Sequence, residues 1–114
     1  MDLMKLTAVQ LSEKIKAGEL SVEEAVKASL DAVREKDKTI NAFITVDEEG
    51  ALKRAAEVQK RIESGEMSGP LAGVPVAVKD NICTRGLKTT CASKILYNFV
   101  PTYDAQAVEN LEKA

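Results

Sequence analysis

The feature that most constrains the fold of this 114-residue chain is an uninterrupted apolar run at residues 74–78, which leads directly into Lys79. A short run that is apolar at every position is typical of a strand buried on both faces, because successive side chains point to opposite faces. Pro75 lacks an amide N–H, so it must lie at the start of this strand or on a sheet edge. Helical patterns precede the run, and the sequence therefore predicts an α/β protein.

Two helix starts are encoded in the first 24 residues. Thr7 is placed to cap a first helix, and Gly18 follows that helix where a left-handed residue is favoured. Ser21 and Glu24 have the spacing of a capping box, in which each side chain accepts a hydrogen bond from the backbone amide of the other residue. Apolar residues then recur at helical spacing, which predicts a second, amphipathic helix.

The remaining patterns alternate between strand and helix. Residues 40–46 are β-branched and aromatic, which predicts a strand. Residues 48–64 have a helical apolar stripe that ends at Gly65. A last helical pattern covers residues 105–114, with Asp104 predicted as its N-cap. It stops without a glycine, asparagine or proline, which indicates that the chain is part of a longer protein.

Composition excludes several kinds of site. Histidine is absent, which excludes a Ser-His-Asp or Cys-His site and a histidine-ligated metal within the chain. A general base must then be a carboxylate, a lysine, a tyrosine or a cysteine. Cys83 and Cys91 lack the spacing of a redox or zinc motif and are predicted to be reduced thiols.

The charge balance and the lack of a targeting segment limit the partners. Lysine and arginine total 16 against 18 aspartate and glutamate, a net charge of −2, so no direct nucleic-acid site is predicted. The longest run without charged or strongly polar groups, residues 71–78, is far shorter than the roughly 20 residues that span a bilayer. We expect a cytoplasmic protein with no membrane partner, and the sequence leaves an organellar location open.

Lys79 is the candidate catalytic residue. It lies at the carboxyl end of the predicted strand, where α/β sheets carry functional groups. Burial there would disfavour the ammonium form, and a neutral amine can act as a general base. From the residues alone two structural interpretations stay open: Lys79 points to water at the strand end, or it pairs with Asp80.

Two other segments are interpreted as structural. The glycine- and proline-containing residues 69–73 are predicted to form a sharp turn rather than a ligand-binding loop. Thr89, Thr90 and Ser93 could hydrogen-bond a substrate, but turn or capping roles are favoured. Cys91 has no adjacent base in the sequence and is not proposed as a nucleophile.

Three blocks of the sequence resemble the amidase signature family: residues 69–80 (GPLAGVPVAVKD), 89–96 (TTCASKIL) and 103–105 (YDA). The later blocks are similar to one branch of that family, the A (glutaminase) subunits of glutamyl-tRNA(Gln)/aspartyl-tRNA(Asn) amidotransferases. The resemblance implies the N-terminal part of the amidase signature fold, with helices followed by strands of a mixed sheet. It divides the chain into a helical region with one strand, 1–66, and the start of the amidase core, 67–114.

The resemblance also implies a reaction. Members of the family hydrolyse amides with a Ser–cis-Ser–Lys triad, and Lys79 matches the lysine of that triad. The two serines belong to a glycine- and serine-rich block that this chain does not contain. The complete protein is thus expected to hydrolyse glutamine and supply ammonia for amidating mischarged Glu-tRNA(Gln) or Asp-tRNA(Asn), and the chain alone is expected to be inactive.

Partners follow from the same resemblance. The B subunit would use ATP and Mg²⁺ to amidate the tRNA, and a small C subunit would bind the glutaminase subunit, so no cofactor or metal is expected in this chain. Two alternatives stay open: a stand-alone amidase acting on another carboxamide, and a non-catalytic truncated interaction module.

Overall fold

The computed structural model describes residues 2–114, which form a short 3₁₀ helix (Leu3–Lys5) and four α-helices. The α-helices are α1 (Ala8–Lys16), α2 (Val22–Ile40), α3 (Glu48–Glu63) and α4 (Gln106–Lys113). The chain divides into two compact units. The first unit contains residues 2–42, 48–75 and 114, and the second contains residues 43–47 and 76–113. None of the helices within residues 2–114 is long and apolar enough to cross a membrane.

The helix caps of the first unit confirm the sequence predictions. The Thr7 hydroxyl accepts a hydrogen bond from the Gln10 amide at 3.2 Å, and the Gln10 side chain accepts one from the Thr7 amide at 2.9 Å. Ser21 and Glu24 form the expected capping box at the start of α2. Each box satisfies amides that would otherwise lack partners in the first helical turn.

The core of the first unit is formed by apolar side chains of α1, α2, α3 and the loop after α3. Its buried members are Ile15, Val22, Ala25, Val26, Ala55, Val58, Met67 and Ala72. The predicted turn at residues 69–73 is confirmed, and a buried hydrogen bond fastens it to α1. The fully buried Ser12 hydroxyl donates this bond to the Ala72 carbonyl at 2.9 Å.

Gly73 closes that turn against the core. Its φ is +80°, a conformation that residues with a Cβ rarely adopt. A Cβ at this position would lie 3.0 Å from Ile15 Cδ1 and 3.0 Å from Val22 Cγ2. Both atoms belong to the core, so neither can move aside without disturbing its packing. Glycine is therefore required here both by backbone conformation and by close approach.

We expect Gly73→Ala to destabilise the chain more than Gly18→Ala does. Gly18 also has a positive φ, +74°, but a Cβ there would meet nothing within 4 Å. Gly18→Ala should cost about 1–2 kcal/mol from the left-handed backbone, and Gly73→Ala a further ~1–3 kcal/mol from overpacking. Urea unfolding followed by circular dichroism measures both variants. Equal losses would show that the core yields to the added methyl group.

The predicted strands are not present within residues 2–114. The prediction of a strand over 40–46 is wrong. Ile40 is the last residue of α2, and residues 41–46 form no strand. Asn41 then adopts the left-handed conformation (φ 55°, ψ 43°), and the Ala42 amide donates to Asp37 Oδ1 at 2.7 Å. Residues 74–78 also lack a ladder. A strand needs a neighbour whose backbone groups face it, and the described residues supply none.

Backbone hydrogen bonds between loops hold the second unit together. The Thr89 amide donates to the Phe99 carbonyl at 3.0 Å, and the Ala105 amide donates to the Cys83 carbonyl at 2.8 Å. The prediction of Asp104 as the N-cap of the last helix is wrong, because α4 begins at Gln106. Asp104 Oδ1 instead accepts a hydrogen bond from the Arg85 amide at 2.6 Å, which joins two loops of this unit.

Many large apolar side chains of the second unit are exposed. Ile95 is 89% exposed, Tyr97 66% and Val76 52%. The other exposed large apolar residues of this unit, each at least 40% exposed, are Phe43, Ile44, Val46, Val78, Phe99, Val100, Tyr103 and Leu111. Exposed apolar side chains of this number leave surface that contact with another polypeptide would remove from water.

We expect the purified 114-residue chain to self-associate, because this apolar surface can be removed from water by contact between copies. Static light scattering should report a mass above that of the monomer, rising with concentration. Replacing Ile95 and Tyr97 by lysine should lower that mass, whereas the same change at the exposed, polar Asn98 should not. A monomer at high concentration would contradict this expectation.

Candidate functional site

Lys79 lies in the second unit, on a turn immediately after the apolar run. Its carbonyl accepts a hydrogen bond from the Ile82 amide at 3.0 Å, which closes the turn. The side chain is exposed, and it makes no ion pair with any residue in the described range 2–114. In the chain as described, Lys79 therefore points to water, and it does not pair with Asp80.

The neighbouring Asp80 carboxylate is occupied by a segment ten residues further along the chain. Oδ1 accepts a hydrogen bond from the Thr90 amide at 2.7 Å. Oδ2 accepts one from the Thr90 hydroxyl and one from the Ala92 amide, the latter at 3.2 Å. The Asp80 carbonyl accepts a fourth bond, from the Cys91 amide at 2.9 Å. We call this set of contacts between Asp80 and residues 90–92 the Asp80 clasp.

The clasp lowers the pKa of Asp80. The Thr90 hydroxyl, and after it the Thr90 and Ala92 amides, hold the pKa of Asp80 below its ordinary value. Each of these donors favours the charged form, because an ionised carboxylate is the stronger acceptor. Asp80 is therefore ionised at neutral pH, and both of its carboxylate oxygens accept hydrogen bonds from residues 90–92.

The segment held by the clasp has an unusual backbone. Cys91 and Ala92 have φ angles of 51° and 52°, in the left-handed region that side chains with a Cβ rarely occupy. Two such residues in succession are costly, and they persist only where surrounding contacts fix them. The contacts here are those to Asp80, together with a 2.8 Å hydrogen bond from the Ser93 amide to the Thr90 carbonyl.

The polar residues of this region make hydrogen bonds within the second unit. Thr89 and Thr90 are only 4% and 5% exposed; the Thr89 hydroxyl donates to the nearby Leu87 carbonyl, and the Thr90 hydroxyl donates to Asp80. Ser93 accepts a bond from the Ile95 amide at the start of a turn. Cys91 is a free, exposed thiol. The role of Asp80 was missed, because nothing in the sequence links an aspartate to a threonine ten positions away.

We expect Thr90→Val to raise the pKa of Asp80 towards its ordinary value, because the hydroxyl contributes most to the lowering. The shift should be incomplete, since the two backbone amides still donate. A lowered folded-state pKa adds stability above the unfolded pKa of ~3.9, and that stability disappears as pH falls through the folded pKa. The stability difference between wild type and Thr90→Val should therefore shrink on acidification.

Carbon-detected NMR titration of the Asp80 carboxyl group, with urea unfolding at several pH values, measures both effects. Thr90→Ser keeps the hydroxyl and is the matched control. An unchanged Asp80 titration in Thr90→Val would contradict the assignment of the hydroxyl as the main cause.

A family model, curated relatives and a solved structure are similar to this chain. The family model described as Amidase matches residues 24–114. The A subunit of glutamyl-tRNA(Gln) amidotransferase from Agathobacter rectalis is 65% identical over 114 residues, which cover 100% of this chain and 23% of the relative. The protein of the same name from Lachnoclostridium phytofermentans is 53% identical over 115 residues, again covering 100% of this chain and 23% of the relative.

A solved structure is also similar. It belongs to a vestigial protein complex described as revealing the evolutionary origins of an s-triazine catabolic enzyme. It superposes with a TM-score of 0.86 at 31% sequence identity and covers 94% of this chain and 24% of that chain. The chain thus spans about a quarter of the length of the proteins it matches.

Proposed function

Because this chain belongs to the amidase family, we propose that it provides the lysine-bearing N-terminal part of a glutaminase subunit in a tRNA-dependent amidotransferase. The observation that carries the proposal is the 65% identity over the whole chain to the A subunit of a glutamyl-tRNA(Gln) amidotransferase. The apolar run ending in Lys79 lies within the part matched by the family model. The complete protein is the subject of the proposal, since the chain spans 23% of that relative.

The proposed chemistry uses Lys79 as the base. In the complete protein, the neutral amine of Lys79 takes a proton from a bridging serine, which takes one from the nucleophilic serine. The nucleophilic oxygen attacks the side-chain carboxamide of glutamine, ammonia leaves with the returned proton, and water hydrolyses the resulting ester. Both serines come from outside this chain. The exposure of Lys79 here leaves its side chain accessible to them.

The same proposal assigns a place to the apolar run. Residues 74–78 join a mixed sheet with strands from elsewhere in the complete protein, and residues 67–114 begin the amidase core after the helical region 1–66. Two properties of the run support this: it has no ladder within residues 2–114, and Val76 and Val78 are 52% and 41% exposed. Burial in a sheet would cover both side chains and surround Lys79 with a drier environment.

The proposed partners are those of the amidotransferase. A B subunit uses ATP, Mg²⁺ and the ammonia to amidate mischarged Glu-tRNA(Gln) or Asp-tRNA(Asn), and a C subunit binds the glutaminase subunit. The tRNA and the cofactors are held by the partner, in the cytoplasm. The excess of acidic over basic residues in this chain is consistent with tRNA binding elsewhere.

The experiment tests glutamine as the substrate and tRNA as the acceptor. The complete protein, co-purified with its B and C subunits, should release ammonia from glutamine and form Gln-tRNA(Gln) or Asn-tRNA(Asn) when ATP and mischarged tRNA are added. A panel of other carboxamides, assayed without the partners, tests the stand-alone amidase. Hydrolysis of another carboxamide with none of glutamine would replace the proposal by that alternative. Loss of all hydrolysis would favour the non-catalytic module.

A further inference from the structure

The two peptide groups that follow Lys79 and Asp80 each accept a backbone hydrogen bond. The Lys79 carbonyl accepts one from the Ile82 amide at 3.0 Å. The Asp80 carbonyl accepts one from the Cys91 amide at 2.9 Å. A flexible lysine side chain attached to a fixed backbone has far fewer positions for its amine than one on a mobile loop, and this is the form of preorganisation that general-base catalysis needs.

The Asp80 side chain fixes the second of these contacts. Three hydrogen bonds from residues 90–92 converge on its carboxylate, and all three donors are N–H or O–H groups of that one segment. The Thr90 hydroxyl also lies 3.2 Å from the Ala92 amide, so the three groups form one network. Because Thr90 is 5% exposed, water competes less for its two bonds to Asp80 than for the exposed bond from Ala92.

The backbone of residues 90–92 points to the same conclusion. Cys91 and Ala92 both have positive φ, and without the clasp they would relax to the favoured conformations of residues with a Cβ. The Cys91 amide would then leave the Asp80 carbonyl. Backbone strain of this kind accumulates where a precise position is needed. Here the strained residue Cys91 donates a hydrogen bond to Asp80, which directly follows Lys79.

We propose that Asp80 is a positioning residue, which sets the location of the Lys79 amine by clasping Thr90 and Ala92 to the turn that carries Lys79. The role rests on the proposed function of Lys79 as the base. Asp80 itself touches neither the substrate nor the reacting atoms in this assignment. Both oxygens of its carboxylate accept hydrogen bonds from residues 90–92. Asp80 therefore acts on Lys79 only through the backbone that joins the two residues.

The decisive variant is Asp80→Asn in the complete protein with its partner subunits. Asparagine keeps the shape but turns one acceptor oxygen into an NH₂ group. Each carboxylate oxygen of Asp80 accepts a backbone N–H, from Thr90 at Oδ1 and from Ala92 at Oδ2, so this NH₂ meets an N–H donor at either position. We expect kcat for glutamine hydrolysis to fall ~10²-fold, as for a displacement of a catalytic group by about 1 Å. The KM for glutamine should stay close to wild type.

Two sets of controls separate positioning from simple destabilisation. Asp104→Asn removes the charge of another carboxylate of this unit, one that accepts the Arg85 amide, and it should leave kcat near wild type. Thr90→Val should lower kcat, whereas Thr90→Ser, which restores the hydroxyl, should recover it. These two variants change no charge and keep the test usable if Asp80→Asn folds poorly.

Hydrogen exchange measured by mass spectrometry on the same complexes supplies a readout that needs no activity. Asp80→Asn should raise exchange in the peptides that contain residues 79–82 and 90–93 and leave α1 to α3 unchanged. Unchanged exchange there, or a wild-type kcat in Asp80→Asn, would overturn the positioning role. If wild type itself does not hydrolyse glutamine, the proposed function fails, and the exchange result still decides whether the clasp exists.

Discussion

Replacing Lys79 by alanine in the complete protein is expected to lower the rate of glutamine hydrolysis by at least ~10⁴-fold. Loss of general-base assistance alone costs ~10²–10⁴-fold, and Lys79 is proposed to belong to a unit that forms a covalent intermediate, where effects reach or exceed the top of that range. The fold should be nearly unchanged, because Lys79 makes no ion pair within residues 2–114, and losing a buried ammonium need not cost stability.

Lys79→Arg should fail as well. The guanidinium stays protonated at all relevant pH values and cannot accept a proton from serine. Lys88→Ala, at another exposed lysine of the second unit, is the matched control and should retain activity. Single-turnover hydrolysis of glutamine by the purified complexes, with melting temperatures recorded alongside, measures the effect. If either Lys79 variant kept a rate within about tenfold of wild type, the loss would be smaller than that expected for a missing general base. Lys79 would then be a structural lysine.

The second large effect is a complete loss: the 114-residue chain by itself is expected to release no ammonia from glutamine. The chain contains Lys79, but it has no glycine- and serine-rich block to supply a nucleophile and the oxyanion donors. The measurement is ammonia release by the purified chain at high concentration, with its Lys79→Ala variant as the blank. Turnover above that blank would show that the chain holds its own nucleophile.

The parts of the fold that sequence predicted are those with local causes. Capping boxes at Thr7 and Ser21 and the left-handed Gly18 depend on residues within one helical turn, so a single stretch of sequence specifies them. The strands at residues 40–46 and 74–78 were inferred from composition. Strand formation depends on a partner strand, and residues 2–114 place none beside either segment.

The candidate site divides in the same way. Lys79 was identified from an apolar run and a resemblance, both of which are visible along the chain. The Asp80 clasp could not be identified from the sequence, because Asp80 and Thr90 are brought together only by the folded loops. Two residues with positive φ and a side chain, Cys91 and Ala92, also carry no sequence signal, since neither is the glycine or asparagine that usually marks such a position.

The division of the chain into two units has a consequence for its synthesis. The second unit combines residues 43–47 with residues 76–113, so its first piece leaves the ribosome well before the rest. At ~5–20 residues per second, Phe43, Ile44 and Val46 wait several seconds for the residues with which they will form a unit. Residues 48–75, which with Ala114 make up the rest of the first unit, are synthesised during that interval. We therefore expect folding on the ribosome to begin with the first unit, while Phe43, Ile44 and Val46 still lack the residues of the second unit.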